Sequence, residues 1–103
     1  MTLPSSIPGL AGPVLVRWHP LLPNTEAGGW NARQRIITLS ADLSKPVQEQ
    51  VFWHEWVHSV LDDADIRLRN DKEELVCSNL ALGMLCLRRA KWISFRRLSQ
   101  ESD

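Results

Sequence analysis

Residues 46–61 read PVQEQVFWHEWVHSVL, and this stretch settles the architecture of the second half of the chain. Its apolar residues recur every three or four positions, the period of a helix with one apolar side. Ser44-Lys45-Pro46 marks the start, with a hydroxyl placed to cap and a proline in the first turn, where a missing amide costs nothing. Asp62-Asp63-Ala64-Asp65 marks the end. At 3.6 residues per turn Val47, Val51, His54, His58 and Leu61 fall in one stripe, which predicts that both histidines point inward. Phe52, Trp53, Trp56 and Val60 cover the neighbouring face.

Downstream, Ile66 to Arg69 reads as a connector. Asn70-Asp71-Lys72-Glu73 reads as a capping box, with Asn70 at the cap and Glu73 folding back to its amide. The helix that follows carries Val76, Cys77, Leu80, Met84 and Leu87. Upstream, the period shortens. Val14 to Trp18 is a β-branched, apolar strand ended by His19-Pro20, and Ala27 to Asn31 reads as a turn or hairpin tip. Arg35 to Ser40 is a second strand, with Ile37 and Leu39 on one face. Residues 1–13 are uncharged and hold three prolines and two glycines, which predicts a loose or extended arm; residues 98–103 are a polar tail. A small twisted sheet followed by two helices is an α+β domain, one domain over residues 1–103.

Composition narrows the class. Hydrophobic residues make 44% and charged residues 23% of the 103, which excludes a disordered tail, a collagenous repeat and a coiled-coil rod. Twelve basic residues balance twelve acidic ones, so no net field draws the protein to nucleic acid or to a membrane. The longest apolar run, Leu80 to Leu87, is less than half of a bilayer span. Cys77 and Cys86 stand about 13 Å apart on one helix at 1.5 Å per residue, too far to bridge, and are expected to be reduced and buried. With no signal peptide legible, the expected compartment is the cytoplasm. Five tryptophans are expected to supply much of a modest core.

The chemistry lies in His54-Glu55-Trp56-Val57-His58, an HExxH string on the first helix. Imidazoles four residues apart sit one turn above the other and can both reach a zinc ion at about 2.0–2.1 Å. Glu55 is offset from that stripe, where it can take a proton from a water on the ion without ligating it. Three protein ligands leave a fourth position open, and the ion would acidify a water there and polarise a carbonyl. The competing reading is a pair of core histidines bonded to carbonyls; a metal satisfies both rings at once. The third ligand should come from the second helix, from Glu74 or Glu73. Helix phase favours Glu74, with Cys77, Ala81 and Met84 below it on the packing side, because the capping box occupies Glu73.

The run HEWVHSVLDDADIRLRNDKEELVCSNLALGML, together with RQRIITLS before it, resembles the small phage-associated branch of the ImmA/IrrE-type metallopeptidase family. The similarity spans about Val14 to Leu87. It implies a minimal zincin-like fold and a zinc metallo-endopeptidase acting on a peptide or protein, with His54, His58 and Glu74 as ligands and Glu55 as base. It also implies that Ile36 to Ser40 is a sheet edge beside the cleft, to which a substrate peptide could add as a strand. Where the better-known branch shows Ala-Asn after the ligand glutamate, this chain has Cys77-Ser78.

Other features have plainer readings. Arg88, Arg89, Lys91, Arg96 and Arg97, interleaved with Trp92 and Phe95, are cations near a helix C-terminus. The alternative function rests on them: a catalytically silent zinc module that binds a protein or nucleic acid through this basic segment. Asp62, Asp63 and Asp65 read as a solvated connector, one of which could orient a zinc-bound histidine. His19 reads as a surface residue and Trp30 as a core anchor.

Overall fold

The computed structural model describes residues 3–20 and 26–95. The elements are β1 (Ser6–Ile7), β2 (Val14–His19), β3 (Gly28–Asn31), β4 (Ile36–Ser40), α1 (Lys45–Asp63) and α2 (Asn70–Arg89). They form an α+β arrangement of one four-stranded mixed sheet and two helices, with strand order β1-β2-β4-β3. β2 runs parallel to β4, and β1 and β3 close the two sides antiparallel.

β4 is therefore an interior strand and not the edge that the family resemblance implied. The segment read as a hairpin tip extends instead: Gly28 lies opposite Leu39 and Asn31 opposite Ile36. The reversal falls at residues 32–35, where the Gln34 amide donates to Asn31 Oδ1 at 3.0 Å and Arg35 takes φ 56°. A Cβ on Gly28 would lie 2.7 Å from Val51 Cγ1 and 2.9 Å from the Thr38 carbonyl, so glycine is what lets this edge strand lie close against α1.

The N-terminal arm is extended but not loose. Ile7 is buried and Leu3 packs on the core. Trp56 Nε1 donates to the Pro8 carbonyl at 3.1 Å. Arg35 ties the arm to the end of α1: its guanidinium donates to the Gly12 and Pro13 carbonyls and to both oxygens of Asp63, at 2.6 and 2.9 Å. Asp63 also accepts from the Ala11 amide, so it is a buried clamp and not part of a solvated connector. The guanidinium holds the Asp63 carboxyl below its ordinary value.

The core joins Val14 and Val16 of β2, Ile37 and Leu39 of β4, Phe52 and Trp53 of α1, Ala81 and Leu85 of α2, and Phe95. Trp53 stacks on Phe95 at 5.3 Å and meets Phe52 and Trp56 edge-on. The buried face of α1 is thus Phe52, Trp53, Val57 and Leu61, rotated from the predicted stripe, and Val47 is exposed. The reason is payload: two large aromatic rings bury far more area against the sheet than two valines. The rotation leaves His54 and His58 half-buried at the border of the core. Trp18 and Trp92 are exposed, so the indoles contribute less core than their number suggested.

Neither helix start carries a side-chain cap. Ser44 has the extended backbone of a cap but its hydroxyl makes no capping bond; Arg69 occupies the cap of α2, with Asn70 already helical. The expected capping box is absent, and Glu73 is released for other contacts. Cys77 is buried, whereas Cys86 is exposed, against expectation, and both are free. No helix among the described residues is long and apolar enough to cross a membrane. Arg96, Arg97 and the tail at 98–103 lie outside the described residues.

Candidate metal centre

The unbroken α1 sets His54 and His58 one turn apart, with ring centroids 4.9 Å and Nε2 atoms 3.2 Å from each other. α2 packs back along α1 and brings Glu74 across from both. Its Oε2 lies 2.9 Å from His54 Nε2 and its Oε1 2.9 Å from His58 Nε2. The helices come close at this level because Cys77 and Ala81, small and fully buried, lie one and two turns along α2, as helix phase predicted.

This donor set fits zinc. One ligand atom from each of His54, His58 and Glu74 lies within 4.8 Å of the others. Ligands 2.0–2.1 Å from a tetrahedral centre stand roughly 3.3 Å apart, close to the spacing seen. The outer ring nitrogens are also engaged. His58 Nδ1 lies 2.7 Å from Glu73 Oε2. A carboxylate oxygen accepts, so with a metal on Nε2 the Nδ1–H would donate to Glu73. His54 Nδ1 has the Ser78 hydroxyl at a longer 3.4 Å. Ser78 is half of the Cys77-Ser78 departure from the family pattern, and it stands behind a candidate ligand.

Of the two glutamates, Glu74 joins the trio and Glu73 backs His58. Glu73 is the residue whose contact sequence reasoning missed. It shares the stripe of Cys77 and Ala81 at four-residue spacing, a signal equal to the one that located Glu74, and the capping motif drew it away. Asp62, the other candidate for orienting a histidine, accepts instead from Trp30 Nε1 at 3.4 Å and from Arg67 at 3.2 Å. Trp30 is itself partly buried and packs against the core, as the anchor reading expected. His19 ends β2 on the surface, also as expected.

Glu55 opens on a cleft of about 510 Å³ between α1 and the start of β3, shared with His54, His58 and Glu74 and closed at its rim by Glu26, Ala27 and Gly28. Burial pushes the Glu55 carboxyl above its ordinary value. The two histidines oppose that rise, and the negative charges of Glu74 and Glu26 add to it. A base raised in this way holds a transferred proton better than a free carboxylate. Burial also pushes the Cys77 thiol up to about 12, with Glu73 and Glu74 adding to it, so Cys77 is an inert filler and not a fourth donor.

The basic segment is partly committed elsewhere. Arg88 Nε bonds the buried Glu49 carboxylate, which also accepts from Trp53 Nε1, and the guanidinium lies 5.9 Å from the Phe95 ring centre. No family model, no curated protein and no solved structure matches this chain.

Proposed function

We propose that this protein is a zinc-dependent endopeptidase built on a minimal zincin-like fold, as its resemblance to the ImmA/IrrE-type family implies. One observation carries the reading: two imidazoles and a carboxylate from two helices converge beside a raised glutamate at the floor of an open cleft. When bound, zinc supplies Lewis-acid polarisation of the scissile carbonyl and an acidified water. His54, His58 and Glu74 would hold the ion, and Glu73 and Ser78 would fix the two rings. Glu55 takes a proton at its carboxylate as the nucleophile attacks and returns it to the leaving amine.

The substrate would be an extended peptide. β3 is the free edge nearest the cleft, and the Ser40 amide donates to the Ala27 carbonyl. By the alternation of an antiparallel ladder, Gly28 and Trp30 then direct their amides and carbonyls away from β4, where an added strand can pair with them. This edge replaces β4 in the substrate role. Two free cysteines agree with a reducing, cytoplasmic setting. The alternative of a silent module acting through the basic segment has less to stand on, since Arg88 already serves Glu49.

Glu55→Gln separates chemistry from metal binding. On a mixed library of unstructured peptides, the variant is expected to keep one zinc per chain and to cleave about 10²–10⁴-fold more slowly than wild type. Undiminished cleavage by Glu55→Gln contradicts the proposed role.

A further inference from the structure

α2 packs on α1 alone, and its outward side is apolar. Leu75 is 63% exposed, Leu80 51%, Leu82 48% and Leu87 43%. Single exposed leucines need no explanation, but here Leu75 and Leu82 border one side of the outward face of this 20-residue helix and Leu80 and Leu87 the other, about 140° round, an apolar face of the kind that marks interaction sites. Cys86 and Gly83 lie among them, and a Cβ at Gly83 would meet nothing within 4 Å. Leu75, Asn79, Leu82 and Cys86 follow the four-three-four spacing of a helix-pairing seam, with one polar residue in the middle. Among the described residues nothing covers this face.

We propose that the face pairs with the same face of a second copy of the chain, the two α2 helices running antiparallel about a two-fold axis near Leu80. Charge favours this occupant and this direction. Glu73 and Arg88 are held by His58 and Glu49, which leaves exposed Asp71 in the first turn of α2, 3.3 Å from Arg69, and exposed Arg89 in the last. Eighteen residues separate Asp71 from Arg89, five turns of 3.6, so the two side chains lie on the same flank. A two-fold axis keeps that flank on one side for both copies. Antiparallel pairing then sets Asp71 of each copy beside Arg89 of the other, two symmetric ion pairs. Parallel pairing would set like charges together at both ends.

The apolar residues obey the same symmetry. Leu75 of one helix comes level with Cys86 of the other, and Leu82 with Asn79, all four on the seam side. Gly83, beside the axis, lets the backbones approach. The cleft opens between α1 and β3 and is left clear. This inference is independent of the peptidase reading.

The test is the molar mass in solution over a dilution series, by sedimentation or light scattering, for wild type and variants whose fold and zinc content are checked in parallel. Wild type is expected at twice 11.8 kDa, and Leu82→Glu and Leu75→Glu at one times that mass. Asp71→Arg and Arg89→Asp are each expected to weaken the dimer about tenfold through two symmetry-related contacts, and the double exchange to restore it. Alkylation of Cys86 is expected to be slower in wild type than in Leu82→Glu. A wild-type monomer at every concentration overturns the proposal. So does a dimer indifferent to Leu82→Glu, or a double exchange that fails to restore what the singles lose.

Discussion

The interface between α1 and α2 carries carboxylates at both ends, buried at one, where Glu49 lies, and open to solvent at the other, where Glu73 is half-buried and Glu74 exposed. At one end Glu49 meets a permanent cation, Arg88, and the Trp53 indole, beside the aromatic stack of Trp53 and Phe95. At the other, among the described residues, Glu73 meets the His58 imidazole and Glu74 those of His54 and His58. The first carboxylate is fully matched by the protein. The second pair has imidazole partners, and it is the pair that we propose completes its set with a divalent cation. On the proposed reading, the same residue type on the same helix pair is structural where its partner is a guanidinium and functional where its partners are imidazoles.

The comparison is broken most directly by exchanging the effects. Glu49→Ala strands Arg88 in a partly buried position and is expected to lower unfolding free energy by about 3 kcal/mol in denaturant titrations, without changing zinc affinity of the folded protein. Glu74→Ala is expected to do the reverse: stability without metal within about 1 kcal/mol of wild type, and no further rise in melting temperature when zinc is added. If Glu74→Ala collapses the metal-free fold while Glu49→Ala is silent, the assignment of the two ends is inverted.

A finer test concerns the residues behind the ligands. Glu73→Gln keeps the shape but weakens the acceptor on His58 Nδ1, and is expected to reduce zinc affinity about 10–100-fold with stoichiometry unchanged. Ser78→Ala, which removes a longer contact, is expected to cost less than tenfold. Competition with a chromophoric chelator reads both. Equal effects would mean that the two rings are oriented by packing and not by these partners.

How much of this was legible in the chain depends on the range of the interaction. The HExxH pair, the strand at Ile36 to Ser40 and the small-residue stripe under Glu74 follow from local period, and each stands where the period places it. The rotation of α1 was not legible, because Val47, Val51 and Phe52, Trp53 are both apolar sets and only the sheet chooses between them. The extension of Gly28 to Asn31 into β3 was hidden because glycines read as a turn, whereas here Gly28 permits close approach of strand and helix. The capping box failed for a related reason. Its local gain, about 1 kcal/mol, competes with a carboxylate–imidazole contact that exists only once α2 meets α1.

The Arg35–Asp63 clamp gives a pH signature at the lower end of the scale of effects. Because its partner depresses the Asp63 carboxyl, that carboxylate adds stability above its unfolded value of about 3.9, and the contribution is lost as pH falls through the lower folded value. Asp63→Asn is expected to be less stable than wild type at neutral pH and to show a flatter loss of stability below about pH 4. Identical acid profiles would remove the clamp from the account. Smallest of all is the thiol: Cys77 is expected to resist alkylation at pH 8 until the protein unfolds, as a group pushed up to about 12 should.

The zinc content of the purified chain, measured after dialysis against buffered zinc at neutral pH, tests the proposed ion between the helices. One zinc per chain is expected for wild type and for Glu55→Gln, and none for His58→Ala or Glu74→Ala. A wild-type protein that takes up no zinc, or a Glu74→Ala protein that takes up as much as wild type, would contradict it.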